Sequence, residues 1–575
     1  MKQLDESPKE SARPTPGGRI AAVLPILEWL PRYRTEWLRR DIFAGLTLAA
    51  YAVPVGIAYA SLAGLPPQAG LACFILGGAI YALFGSSRHL AIGPTAAISV
   101  MTASVVGPMA GGDAALYASI AAATALLVAV ICFFAWLFRL SAFVSFISET
   151  ILLGFKAGAA LSIAATQLPA LFGISGGGEH FFQRIFVLLG QLGGTNPAVL
   201  AIGAASLALL WIGESRFPRR PVALFVVTLS IVAVSFFGLK DLGVKVAGAV
   251  IPQETGFGFH LLELHHLEGI LELAFACFLL SYIESISAAR ALAQKHDYRV
   301  SPRQELLGLG AANLASGLGH GYPVAGGLSQ SAVNEEAGAK TPMALLTASF
   351  LLAIVLFSLT GMLRNLPDAV LAAIVLVALS RFVKVSDFRR LRHVSRTEFH
   401  VAMVAFFAVL FFGILRGVML SAVASILFLL RMMAAPHVAP LGRIPGTERF
   451  TDLTRHPDNE LVHGVFMFRV EAPLLYFNVE NVDKTVLEYV RTAPSPVRLV
   501  VCDLSTSPYI DAAGAGMLAR LEEQLGEEGI QFRVAEAHAE VRDILRATGV
   551  DQRIGGVSRR ASITGIIEEF KARTP

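Results

Sequence analysis

From Asp41 to Met432 the chain is an almost unbroken series of apolar runs, and this feature alone removes most folds from consideration. A helix needs roughly 20 apolar residues to cross a bilayer. Hydrocarbon tolerates only backbone that satisfies its own hydrogen bonds. Runs near 41–60, 69–86, 115–138, 147–170, 195–215, 220–238, 268–290, 303–318, 342–361, 367–381, 398–412 and 415–432 have this character. Two further segments, after Gly93 and after Gly326, begin with Gly or Pro at membrane depth and read as half-helices. Counting them gives fourteen segments, with the half-helices third and tenth. Of 575 residues only 16% are charged, against about a quarter in a soluble globule. The fold class expected is therefore an α-helical polytopic membrane protein.

Charge divides the chain into three parts. Residues 1–40 form a polar, basic, Pro-rich arm, 41–432 the transmembrane domain, and 446–575 a domain of ordinary charge density. The arm has no early apolar core, so a cleaved secretory leader is not expected. The loops "GESRFPRRP", "ARALAQKHDYRVSPRQE" and "RFVKVSDFRRLRHVSR" are rich in Arg and Lys, whereas "LFGISGGGEH" has almost none. By the positive-inside rule the basic loops and both termini are cytoplasmic. The net charge of +4 gives no reason to expect nucleic acid as a partner. The four cysteines (Cys73, Cys132, Cys277 and Cys502) stand singly, without metal-ligand spacing, and read as buried free thiols.

The breaks "RHLAIGPTAAISVM" (88–101) and "GYPVAGGLSQSAVNEEAGAKTP" (321–342) fall at matching positions in two sets of seven segments. An odd repeat length reverses the second set, so the pattern is an inverted repeat whose interrupted helices build a site near the midplane. A helix beginning at membrane depth exposes free amides and the positive end of its dipole. An anion satisfies both. Thr95 and Ala96 would offer amides in the first break, and Gly327, Leu328, Ser329 and Gln330 in the second. The Ser329 and Ser331 hydroxyls are further candidate donors.

Ionisable residues at membrane depth are functional candidates. Glu284, in "FLLSYIESISAAR", lies in the eighth segment. An ionised carboxylate there would repel an anion and a protonated one would not, so Glu284 is the candidate proton-coupling group. Lys156, in "ETILLGFKAGAALS", reads as snorkelling or pairing with Glu149 rather than touching substrate. No enzyme motif is present. "GLGAANLASG" begins like a dinucleotide fingerprint but lies in a span with no strand before it. No cofactor and no metal are expected. At the C-terminal end "RLVVCDLS", "GAGMLARLEEQLGEEG" and "IQFRVAEA" read as strand, amphipathic helix and strand, hence a parallel pair in a small α/β domain.

The stretches "AGLTLAAYAVPVGIAYASLAGLPPQAGL" (44–71), "YALFGSSRHLAIGPTAA" (81–97) and "ANLASGLGHGYPVAGGLSQSAVNEEAGAKTP" (312–342) each resemble signatures of the sulfate permease (SulP) family. The region from 446 resembles that family's STAS domain. The resemblance implies a 7+7 inverted-repeat fold with a core and a gate domain, elevator-like motion, a homodimer, and an anion site between the third and tenth segments. Tyr59, in "PVGIAYA", joins the substrate-binding residues on this basis. The chain also departs from the family. Gln330 stands where many members carry Arg, and Val55 where many carry Gln. Ala288 replaces the hydroxyl that sodium-coupled bicarbonate members place four residues after the eighth-segment carboxylate, which favours protons over sodium. Ala512 and Ala513 follow "ID" where STAS-fold antagonists carry phosphoserine, which excludes a phosphoswitch at that spot.

These readings converge on a proton-coupled secondary transporter of sulfate, bicarbonate or a small dicarboxylate in a bacterial inner membrane. Its partners are a small anion, protons, the lipid bilayer and a second copy of itself. The alternatives are a nucleobase permease and a non-transporting membrane sensor or scaffold for the C-terminal domain.

Overall fold

The computed structural model describes residues 23–140, 149–178, 180–217, 222–237, 239–246, 266–358, 365–380 and 382–573. Residues 1–22 of the expected arm lie outside this set, as do span ends at 147–148, 220–221, 238, 359–361 and 381. The chain divides into two compact units, Met1–Ser425 and Ile426–Pro575.

Helices occur where the apolar runs placed them. They are α1 (Thr35–Leu62), α2 (Pro67–Phe84), α3 (Ala96–Ala110), α4 (Ala114–Leu137), α5 (Glu149–Phe172), α6 (Pro197–Arg216), α7 (Val222–Phe237), α8 (His266–Lys295), α9 (Pro302–Leu318), α10 (Leu328–Glu336), α11 (Met343–Ser358), α12 (Asp368–Ser380) and α13 (Arg396–Ala434). α13 joins two helices across Gly413, whose φ of 82° is non-helical. By length and composition, six of the described helices are able to cross a membrane. Large apolar side chains such as Trp211, Phe236 and Phe357 face outward, as hydrocarbon surroundings favour and water does not.

Several of the contacts between helices repeat when every label advances by seven. α4 packs on α8 and α9, while α11 packs on α1 and α2. α3 meets α8, and α10 meets α1. α2 with α9, and α5 with α12, are the self-related pairs. The inverted repeat expected from the sequence would produce this correspondence. Two amphipathic helices, Phe181–Gln191 and Val385–Val394, were not anticipated. The second lies in what reads, from its charges, as a basic loop.

Several helix starts are closed locally. Asp113 accepts the Ala115 and Leu116 amides at the head of α4, and Asn196 accepts those of Ala198 and Val199 at α6. Ser301 caps α9, with Pro302 at the first helical position. Asp41 on α1 accepts the Lys340 and Thr341 amides and the Thr341 hydroxyl, and so anchors the approach to α11. The heads of α3 and α10 have no side-chain cap.

In the second unit a five-stranded sheet runs in the order β4 (Phe450–Asp452), β3 (Val438–Arg443), β5 (Val465–Val470), β6 (Leu499–Asp503), β7 (Gln531–Ala535), after β1 and β2 of the first unit, described below. β3 precedes residue 446, so the sheet begins ahead of the start expected for this domain. β5, β6 and β7 are parallel, and α15 (Ala512–Glu527) makes the crossover from β6 to β7, following α14 (Val479–Arg491). Val500 and Cys502 pack into one core with Leu518, and Leu499 and Val501 into another with Ile563. That is the two-sided burial a parallel sheet requires. All four cysteines are buried free thiols.

Candidate functional site

The two breaks meet. Ile92–Gly93 (β1) and Ala325–Gly326 (β2) form an antiparallel ladder, with Ile92 opposite Gly326 and Gly93 opposite Ala325. Glycine is required on both sides. A Cβ on Gly93 would strike the Phe74 ring, and one on Gly326 would come within 2.7 Å of Leu90 Cδ2. Side chains of α8 and α9 hold the ladder. Ser285 accepts the Gly326 amide at 2.7 Å, while Asn313 takes the Val324 amide at 3.0 Å and donates to the Val324 carbonyl at 3.1 Å.

Directly after the ladder, α3 and α10 begin. Thr95 and Gly327 are their N-caps, in extended conformation. Among the described residues the first-turn amides, residues 96–98 and 328–330, have no acceptor. Both helix heads open on one cavity of about 680 Å³. Thr95, Ala96, Gly327, Leu328, Ser329 and Gln330 line it, with Tyr59 from α1 and Glu284 from α8. These eight residues were all named from the sequence, whereas Ser331, named with them as a donor, is not in the wall.

The cavity surface follows helical spacing. Glu284, Ser287, Ala288 and Ala291 are one face of α8, and Lys156, Ala159, Ala160 and Ile163 one face of α5. Tyr51, Ser380, Lys384 and Asp387 complete the polar lining and were not singled out from the sequence. Tyr51 lies two turns before Tyr59 on α1, a spacing that would have revealed it.

Three side chains behave differently from expectation. Lys156 is a wall residue facing the same cavity as Glu284, rather than a snorkelling residue remote from the site. The ring of small residues that follows it on α5 keeps that face open. Ser331 is fully buried and structural: it donates to the Gly327 carbonyl at 2.7 Å and accepts the Ala91 amide at 2.9 Å. Gln330 reaches the cavity, yet its side-chain nitrogen donates to the carbonyls of Ala91 at 2.9 Å and Ala325 at 3.2 Å. Asn334 adds a bond to the His89 carbonyl at 3.0 Å. The polar residues of the second break therefore brace the first. The free donors that the second break leaves to the cavity are backbone amides and the Ser329 hydroxyl. Val55 is buried and absent from the wall.

Glu284 is set apart from the other buried carboxylates. Glu305 accepts the Tyr81 hydroxyl and both the amide and hydroxyl of Ser86. Glu284 lies deep in the fold yet is partly open to the cavity. The Thr95 hydroxyl and the Lys156 ammonium are close enough to act on it. Nevertheless neither Thr95 Oγ1 nor Glu284 Oε2 completes a hydrogen bond.

Residues 38–405 match the model of the Sulfate permease family, and residues 456–562 that of the STAS domain. A protein of Mycobacterium tuberculosis named as a probable sulfate transporter is 34% identical over 541 residues, covering 94% of this chain and 97% of its own. This chain belongs to the sulfate permease family. Sulfate transporter 4.1, chloroplastic, of Arabidopsis thaliana is 28% identical, over 93% of this chain and 81% of its own. Among solved structures, murine Solute Carrier 26 family member A9, described as an anion transporter in the inward-facing state, superposes with a TM-score of 0.87 at 22% identity over the full length of both chains. The transmembrane domain of a cyanobacterium bicarbonate transporter, BicA, gives 0.60 at 22% identity, over 68% of this chain and 98% of that domain. As a member of the sulfate permease family the chain is a multi-pass membrane protein of a transporter fold ending in a STAS domain, and not an enzyme.

Proposed function

We propose that the chain is a proton-coupled secondary transporter of small anions: sulfate, bicarbonate or a small dicarboxylate. One observation carries the reading. Two uncapped half-helix heads and a carboxyl, Glu284, whose Oε2 has no hydrogen-bond partner among the described residues, share a single cavity. The helix heads supply donors and partial positive charge for an anion, with Thr95, Ala96, Gly327, Leu328, Ser329 and Gln330 as the binding residues together with Tyr59. Glu284 supplies a group able to carry a proton beside it, and Ala288 one turn on offers no oxygen to a sodium ion. The named relatives support sulfate or bicarbonate as cargo, and the family match favours this reading over a nucleobase permease.

Alternating access would follow an elevator-like movement of the half-helix elements against the rest of the transmembrane unit, in a homodimer. With fourteen segments, both termini and the STAS domain would lie in the cytoplasm of a bacterial inner membrane, a reading the basic loops support. The test is uptake of labelled sulfate, bicarbonate or succinate into proteoliposomes with the membrane potential clamped at zero. An inward proton gradient of one pH unit should drive about tenfold accumulation if one proton accompanies each anion. No uptake of any of the three in well-folded preparations would leave the sensor or scaffold alternative.

A further inference from the structure

The second half-helix presents no free cation to the cavity. Gln330 is held against two backbone carbonyls, and Ser329 is neutral. Helix heads alone favour an anion only modestly, and a charged partner adds discrimination. The cavity wall contains two lysines. Lys384 is exposed, at the start of the amphipathic helix Val385–Val394, and shares its side of the wall with Asp387. Lys156 is half-buried on α5, on the face that turns to Glu284. It influences Glu284 electrostatically, but the described contacts contain no direct ion pair between them. The other titratable groups of the wall are Tyr51 and Tyr59 on α1.

We infer that Lys156 is the cation that holds the transported anion, and that Glu284 and the anion compete for it. This rests on the transport reading and adds its coupling step. With Glu284 ionised, its negative charge compensates Lys156, and the cavity offers an anion only its amides. When the Glu284 carboxylate takes one proton from solvent, the Lys156 charge is left uncompensated and an anion takes its place opposite it. Release runs in reverse: the anion leaves, Glu284 returns its proton to water, and the carboxylate again faces Lys156. One proton thus accompanies each anion without the proton and anion touching. The geometry also makes α5 a second contact for cargo otherwise held by α3 and α10.

Sulfate titration of the purified full-length chain at pH 5.5 and pH 8 tests this, as does titration with succinate. Unmodified protein should bind more tightly at the lower pH. Lys156→Gln should weaken binding about 10- to 100-fold at low pH, the scale of one poorly screened charge pair, and should flatten the pH dependence. Lys156→Arg keeps the charge and should stay within about threefold of the parent by the same reasoning. Glu284→Gln should bind tightly at both pH values, and this arm stands even if Lys156→Gln fails to fold. Parental affinity and pH slope in Lys156→Gln, or a persisting pH slope in Glu284→Gln, would overturn the inference while leaving anion transport intact. If the unmodified chain takes up no anion, the transport reading falls and this inference with it.

Discussion

Gln330 offers the sharpest separation between holding the site together and contacting its ligand. Its side-chain nitrogen bridges the Ala91 and Ala325 carbonyls, and both residues are fully buried. Gln330→Met keeps the length of the side chain and removes both donors. A buried acceptor left without a partner costs about 1–3 kcal/mol, so the pair comes to about 2–6 kcal/mol, toward the lower figure where a carbonyl keeps a second partner. Gln330→Glu should be worse, because it turns an oxygen onto two carbonyl oxygens. Gln330→Arg, attractive from the sequence as an added cation, should also lose stability. Gln330 Cδ already packs 3.0 Å from the Cβ position of Gly327, so a longer side chain has to displace the head of α10 or abandon the brace. Unfolding in detergent micelles, followed by tryptophan fluorescence, reads the stability; sulfate titration reads the site. If Gln330→Met unfolds within about 0.5 kcal/mol of the parent, the range of an inert surface change, and binds sulfate normally, the brace is not real.

Glu284→Gln mimics a permanently protonated acid and should lose accumulation driven by a proton gradient while still binding anion; accumulation of about tenfold per pH unit in that variant would exclude Glu284 as the coupling group. Ser329→Ala should cost only about 0.5–1.5 kcal/mol of binding, whereas Ser329→Glu should abolish it, because a carboxylate then sits at the positive end of α10; isothermal titration distinguishes the two, and undiminished binding by the glutamate variant would move the site elsewhere. In the STAS domain, Arg469 pairs with Asp503 at 2.7 Å, and the Asp503 side chain is only 2% exposed. Arg469→Leu leaves that carboxylate buried without a cation and should destabilise the domain by about 3–5 kcal/mol; an unchanged urea midpoint for its unfolding would contradict this.

Much of the fold and the site was legible in the sequence, for identifiable reasons. Apolar runs report which segments are buried in hydrocarbon, because hydrocarbon penalises polar backbone. Gly93 and Gly326 marked the breaks because nothing larger fits where β1 meets β2. Direction around a helix axis was harder to read. Lys156 looked like a snorkelling residue until the Ala159, Ala160 and Ile163 positions showed that its face of α5 is a cavity wall. Ser331 and Gln330 looked like donors for a ligand, because a sequence does not say which backbone a polar side chain will meet. The helix Val385–Val394 was hidden because its dense positive charge is also what a loop between spans carries.

The buried carboxylates show why partner count, rather than depth, points to function. Asp41, Glu284 and Glu305 are all acids inside one apolar unit, and composition treats them alike. Asp41 accepts from two amides and the Thr341 and Tyr33 hydroxyls; Glu305 accepts from one amide and two hydroxyls. Each is held in place by several donors, which suits a brace. Glu284 has an unpartnered Oε2, faces an open cavity, and has Lys156 within electrostatic reach. A group in that position can gain and lose a proton without dismantling the fold around it. On the proposed reading, the same incompleteness that would be a defect in Asp41 or Glu305 is what a coupling carboxylate requires, because the missing partner would be the one that arrives and leaves with the cargo.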